Sequence, residues 1–438
     1  MKRLIAIFLT ACLVSCYIFP FYFTFFPLQT TKTILSAFGA VLFVFDSLRD
    51  RKMISAHGGM IWVFIAALAV SLVSYFAMVY NNTMDDTYVS YVLTLIIWLS
   101  AAYVCIRAIK AVHGYASASL IIQYLVFVAV FQCVLALLLD SFPAFDNFVA
   151  NWCVDVRYAS TKEGRLYGIG CMLDVAGVRF SGILVMLAYW CYEAARDKER
   201  KKLRWGLICY SFIVVVGNMI ARTTTVGAAV GIGIWLLLSF VPLLGLKSGI
   251  APLWRSFVFV VVIVSAVFTF LYQTDAKTRE NLRFGFEGFF SLAEKGHWET
   301  NSNNELQEMV VWPDKTSTWI FGDGYMADPT AVEPYLQSLG IAGDYVYMGT
   351  DIGYCRFIFY FGLIGLTIFI IYFAVVAGAC AARAPSKKVA FFFLFVINLI
   401  VWAKVTTDVF AVMAIFLLAD LEKDEDTETE EDLEIVEG

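Results

Sequence analysis

The stretch IGYCRFIFYFGLIGLTIFIIYFAVVAGA, Ile352 to Ala379, decides the fold, because its only charged residue is Arg356. A helix rising 1.5 Å per residue crosses the hydrocarbon core of a bilayer in about 20 residues, so this run spans a membrane with length to spare. It has company. The chain is 60% hydrophobic and 16% charged, with a mean hydropathy of +0.74. A water-soluble domain averages about 45–50% apolar and about 25% charged, so this surplus cannot be hidden in a soluble core. Lipid is the solvent.

Working outward, further apolar runs lie at Leu4–Phe26, Thr33–Phe45, Met60–Tyr80, Tyr88–Ile106, Ala116–Leu139, Val178–Tyr192, Leu203–Ile220, Thr225–Leu244 and Ser256–Tyr272, then at Val389–Ala403 and Val405–Leu421. With the deciding stretch they make twelve, the last two reading as separate spans, one broken helix or a re-entrant hairpin. The fold expected is an all-α polytopic integral membrane protein of about 12 transmembrane helices with one large outer loop. Residues 1–272 form a nine-helix bundle, 273–351 the large loop, 352–421 the C-terminal helices and 422–438 an acidic tail. The run after Met1-Lys2-Arg3 is too long for a signal-peptide core and has no small-residue cleavage site, so it reads as a retained first helix.

Cationic residues orient the bundle, since cytoplasmic loops carry the Lys/Arg excess. Placing the N-terminus inside puts Lys2/Arg3, Arg49/Arg51/Lys52, Arg107/Lys110, the Arg196–Arg204 cluster, Lys247/Arg255, Arg383/Lys387/Lys388 and Lys423 on the inner face. Both termini are then cytoplasmic. Two long segments face outward, 140–177 and 273–351. The second is rich in Trp and Tyr, which argues for order. The net charge of −5 belongs to the tail: ten carboxylates against Lys423 give it −9 and leave +4 for the rest. Such a tail reads as disordered or as a docking segment. No feature points to nucleic acid. Ten scattered cysteines without metal spacing read as small apolar residues; Cys153 and Cys171 share one outer segment, where free thiols are favoured over a bridge.

Charge inside a membrane is costly, so cations at helix mouths carry information. Arg165, Arg179, Arg222 and Arg356 stand where outer segments meet helices, and Lys404 stands at the outer turn of the last pair of spans. All five are expected to converge at the outer surface, where guanidinium forks grip a diphosphate bidentately. The bland alternative is that they snorkel to headgroups or pair with structural carboxylates. Asp351 re-enters the membrane five residues before Arg356, placed either as general base or as helix N-cap. Asp174, Asp323, Asp328, Asp344 and His297 are weaker candidates. No metal or other cofactor is called for.

Three stretches resemble the bacterial O-antigen polymerase and O-antigen ligase superfamily: GRLYGIGCMLDVAG (Gly164–Gly177), ARTTTVGAAVG (Ala221–Gly231), and FGDGY (Phe321–Tyr325) followed by GTDIGYCRFIFYFGLIGL (Gly349–Leu366). The resemblance covers roughly the C-terminal two-thirds of the chain. It implies a glycosyltransferase of the bacterial inner membrane, acting on its periplasmic face on oligosaccharides linked to undecaprenyl diphosphate. The bilayer, a flippase and a chain-length regulator are the implied partners, and the product is O-antigen, capsular or exopolysaccharide. Arg165 and Arg222 match the family's outer arginines. Asp351 falls where ligases carry His in a His-Asn-x-x-Tyr-like run, and Thr350-Asp351-Ile352-Gly353-Tyr354 lacks that His. Polymerase is therefore expected, with a ligase or a glycan transporter as the alternatives.

Overall fold

The computed structural model describes residues 2–50, 58–154, 165–240, 251–332 and 344–422. The acidic tail beyond Glu422, Arg51, Lys52, Lys247 and part of the large loop lie outside the described residues. The helices are α1 (Lys2–Ile18), α2 (Thr31–Asp50), α3 (Gly58–Asn81), α4 (Tyr91–His113), α5 (Ala118–Ser141), α6 (Pro143–Ala150), α7 (Leu173–Arg196), α8 (Arg200–Ile220), α9 (Thr224–Ser239) and α10 (Ala251–Thr274). The large loop adds α11 (Ala276–Gly285), α12 (Glu287–Lys295), α13 (Asn301–Glu308) and α14 (Thr316–Phe321), and α15 (Gly353–Arg383), α16 (Lys388–Val401) and α17 (Phe410–Ala414) close the chain. Two small antiparallel pairs, β1 (Tyr22–Phe23) with β2 (Phe26–Thr30) and β3 (Ala327–Val332) with β4 (Asp344–Val346), decorate it.

Eight helices among the described residues are long and apolar enough to cross a membrane: α2, α3, α4, α5, α7, α8, α10 and α15. The chain is an all-α membrane protein. The remaining apolar runs form shorter elements. The run Leu4–Phe26 is helical only to Ile18, because Pro20 cannot continue a helix and the chain turns into the β1–β2 hairpin. The stretch 404–420 is mostly irregular, with one turn of helix at α17. It returns through the bundle: Lys404 Nζ meets Thr223 Oγ1 (3.4 Å), and at the other end Asp420 accepts the Ala116 amide (2.6 Å).

α7 is the axis. All its residues from Ala176 to Ala195 are buried, whereas α10 buries only Leu253 and Val260. Helices in lipid associate through small residues that let backbones approach. Here Gly227 of α9 lies so close to α7 that an added Cβ would sit 2.3 Å from Ser181 Cα. The Ser181 hydroxyl donates to Thr223 O (2.8 Å) and accepts the Gly227 amide (3.2 Å), fixing the turn that opens α9.

Segments assigned to one side by the Lys/Arg pattern meet on one side. Thr24 reaches Asn151, Lys277 pairs with Asp140 (3.0 Å), Leu166 bonds Met219 and Asn81 reaches Gly322. At the opposite end Arg107 pairs with Asp46 (2.9 Å), Lys110 with Asp420 (2.5 Å) and Lys387 with Glu193 (2.7 Å). The large loop is tied down by FGDGY: the Asp323 and Gly324 amides donate to Phe359 O and Tyr360 O, at a kink in α15 where Gly362 has φ +67°. A Cβ on Gly362 would fall 2.2 Å from Ile320 O, so this contact demands glycine.

The Lys387–Glu193 pair is 6% and 9% exposed. Removing one partner of a buried ion pair costs about 3–5 kcal/mol, while replacing both by apolar residues is close to neutral. Lys387→Ala should therefore lower the unfolding temperature in detergent markedly, and the double change Lys387→Met, Glu193→Leu should restore most of it. Equal losses in the two variants would contradict this.

Candidate functional site

The segment Arg165–Met172 is clamped before it can present a side chain. Leu166 N donates to Met219 O (3.0 Å), Gly168 N to Cys171 O (2.8 Å) and Ile169 N to the buried Gln132 Oε1 (3.1 Å). Gly170, at φ +65°, passes so near Phe19 O that a Cβ would lie 2.5 Å away. Arg222 sits in the tight turn between α8 and α9, where the Ala221 amide donates to Gly217 O (2.8 Å) and the Thr224 hydroxyl to the same carbonyl (3.1 Å). Both arginines thus project from rigid backbone at one end of the bundle.

They meet over one ring. The Arg165 and Arg222 guanidinium carbons lie 4.8 and 4.6 Å from the centroid of Phe284 in α11, and Arg222 forms an ion pair with Glu287. Cations rest on an aromatic face through its quadrupole, a contact that strengthens where water is excluded. The same residues line a cavity of about 840 Å³, which Arg279, Arg283 and Glu294 also border. Arg283 pairs with Glu294 (2.9 Å), and Arg279 Nε donates to Tyr272 O (2.9 Å). An apolar cavity of about 540 Å³, lined by Val264, Phe268, Tyr272, Leu282 and Phe286 among others, shares Phe290 as a wall with the charged one.

Lys404 joins this side. Besides its contact to Thr223 Oγ1, it lies within electrostatic reach of Asp174, Arg222 and Arg165. Burial pushes its ammonium below the usual range, and Asp174 opposes that shift. Asp351 is exposed, and it does not cap α15: the cap position is Ile352, with no side-chain bond. It stands within reach of Asp174 and of Arg356, whose Nη2 donates to Met326 O (3.1 Å).

Arg179 does not come to that ring. It lies five residues beyond Asp174 on α7, about 7.5 Å deeper along a helix axis. Its guanidinium donates to Ile18 O and lies 5.6 Å from the Trp98 centroid. Of the five cations expected to converge, three gather with Asp174, one borders them through Asp351, and one is internal. Cys153 and Cys171 fall in separate hydrophobic clusters and are not joined to one another.

Sequence reasoning missed Phe284, Glu287, Arg279 and Arg283. A signal exists for two of them: Arg279 and Arg283 are spaced by four on one face of a helix that follows an Asp275 N-cap, whose carboxylate accepts the Thr278 amide (2.7 Å). It also passed over Asp408, a lone carboxylate inside an apolar run. Among the described residues no three His, Cys, Asp or Glu side chains gather as a metal site would need. No family model, curated protein or solved structure matches the chain.

Glu287 occupies Arg222, so an incoming anion must compete with it. Glu287→Gln should tighten binding of inorganic pyrophosphate to the purified protein by about 10-fold, equivalent to about 1.4 kcal/mol, read by calorimetry. Unchanged affinity would show that Arg222 does not take the anion.

Proposed function

We propose that this protein is a polymerase that joins oligosaccharide repeat units carried on polyprenyl diphosphate. It works at the periplasmic face of a bacterial inner membrane, with both termini cytoplasmic. The observation that carries the reading is the convergence of Arg165 and Arg222 on Phe284 at the rim of a charged cavity. A lipid diphosphate places its anion at that depth, with its tail in lipid and its glycan in water. The adjoining apolar cavity suits the first isoprene units of the tail.

In this reading Arg165, Arg222 and Lys404 hold the diphosphate. The bond from sugar C1 to the diphosphate oxygen breaks, the acceptor hydroxyl oxygen bonds to C1, and the polyprenyl diphosphate departs with its charge stabilised by these cations. Asp351, exposed and with no side-chain hydrogen bond among the described residues, accepts the hydroxyl proton. The helices of the large loop cover the glycans. The same fit admits a ligase, from which the absent His at 351 argues away.

A transporter is the second reading, favoured by the irregular stretch between α16 and α17 with Asp408 in it, since interrupted spans with internal charge are how transporters build midplane sites. Cells carrying Arg222→Ala as the sole copy decide among the three. The polymerase reading expects chain extension to fall at least about 100-fold, as for loss of a group stabilising departing charge, with single carrier-linked repeats accumulating outside and the protein still in the membrane. Full-length polymer contradicts it. Long carrier-linked polymer indicates a ligase, and repeats trapped on the cytoplasmic face indicate a transporter.

A further inference from the structure

Below the mouth lies a second group of charges that the proposed reaction leaves unused: Lys32 at the start of α2, Arg179 in α7 and Asp408 between α16 and α17. Each is within electrostatic reach of the other two. Lys32 Nζ lies 4.6 Å from the centroid of Trp98, the ring that Arg179 also approaches. Two cations thus share one indole.

Yet no ion pair joins any two of the three. Asp408 uses one carboxylate oxygen on the Phe410 amide (2.8 Å). Arg179 is 7% exposed, and its Nε has no hydrogen-bond partner among the described residues. Lys32 donates to no acceptor among the described residues. At the same break in the chain, the buried Asn398 Nδ2 and Trp402 Nε1 also have no hydrogen-bond partner among the described residues. A buried polar group left unpaired costs about 1–3 kcal/mol, and more when charged. A fold that wanted only a structural ion pair would have closed Asp408 onto the cations. Instead the irregular backbone of 402–409 holds the carboxylate apart from them, and Lys32 and Asp408 stay partly accessible.

We infer that Lys32 and Arg179, both beside the Trp98 ring, form a second anion subsite that takes a diphosphate, with Asp408 receiving a hydroxyl of the same ligand. The anion supplies the acceptor that the Arg179 Nε–H lacks, and Lys32 adds a point charge. Naming the ligand rests on the polymerase reading: joining two carrier-linked glycans brings two lipid diphosphates to one protein, and the cavity at Phe284 holds one. The Trp98 site then holds the acceptor's.

The test is calorimetric titration of inorganic pyrophosphate into the purified full-length protein in nanodiscs of zwitterionic lipid. Two sites per chain are expected. Lys32→Ala, at a partly exposed position, should weaken one of them by about 10-fold or more, as for a lost charge-assisted bond. Lys32→Arg should keep both, and Arg165→Ala with Arg222→Ala should remove only the other. A single site, or two that Lys32→Ala leaves within two-fold, overturns the inference. Farnesyl diphosphate filling both sites supports the lipid-borne acceptor. If it fills only the Phe284 cavity while pyrophosphate fills both, the acceptor assignment fails. Two pyrophosphate sites in a protein that extends no chains would overturn the polymerase reading and leave the subsite standing.

Discussion

Uncompensated charge does not rest in hydrocarbon, and this constraint organises the molecule. At one end, Lys387–Glu193, Lys110–Asp420 and Arg107–Asp46 are satisfied in pairs. At the other, Arg165 and Arg222 are stacked on an aromatic ring beside a cavity, with Glu287 as an ionic partner of Arg222. Ion pairs form at both ends, and what sets the second apart is the cavity onto which Arg165 and Arg222 open.

That space exists because the large loop is built onto the bundle. FGDGY is an anchor, spending its backbone on α15 and on Asn81 and Thr83 of the α3 end, with Gly322 and Gly324 both at φ +76°. α11 and α12 then lean over the arginines and contribute Phe284, Glu287 and the outer wall. The motifs that carry the family resemblance are therefore largely scaffolding in this fold. GIG at Gly168–Gly170 clamps a loop, and the small-residue run after Arg222 lets α9 press against α7. What they scaffold is the position of two guanidinium groups.

How much of this was legible in the sequence follows from what hydropathy measures. It marks apolar runs, so the all-α membrane character and eight of the twelve expected spans could be read, and Arg165, Arg222 and Lys404 do come to one side of the bundle. It says nothing about rotation around a helix or neighbours in the plane. Hence Arg179 was expected at the rim, when five residues of helix carry it a turn and a half inward onto Trp98. Phe284 was invisible for the same reason: a single Phe among 39 gains meaning only through what lands on it. Asp408 was written in the chain as a carboxylate within an apolar run, but a continuous-helix reading of 405–421 gave it no partners, and the break that frees it is a tertiary feature. Length misled at Leu4–Phe26, where Pro20 stops the helix before the apolar run ends.

The most direct measurement of the central claim is a cryo-electron-microscopy structure of the purified protein with a polyprenyl diphosphate added. Density for the diphosphate is expected between Arg165 and Arg222, displacing Glu287, with the first isoprene units running past Phe290 into the cavity beside α10. Diphosphate bound at the lipid-facing perimeter or at the Lys387 end, with the Arg222–Glu287 pair intact, would contradict it.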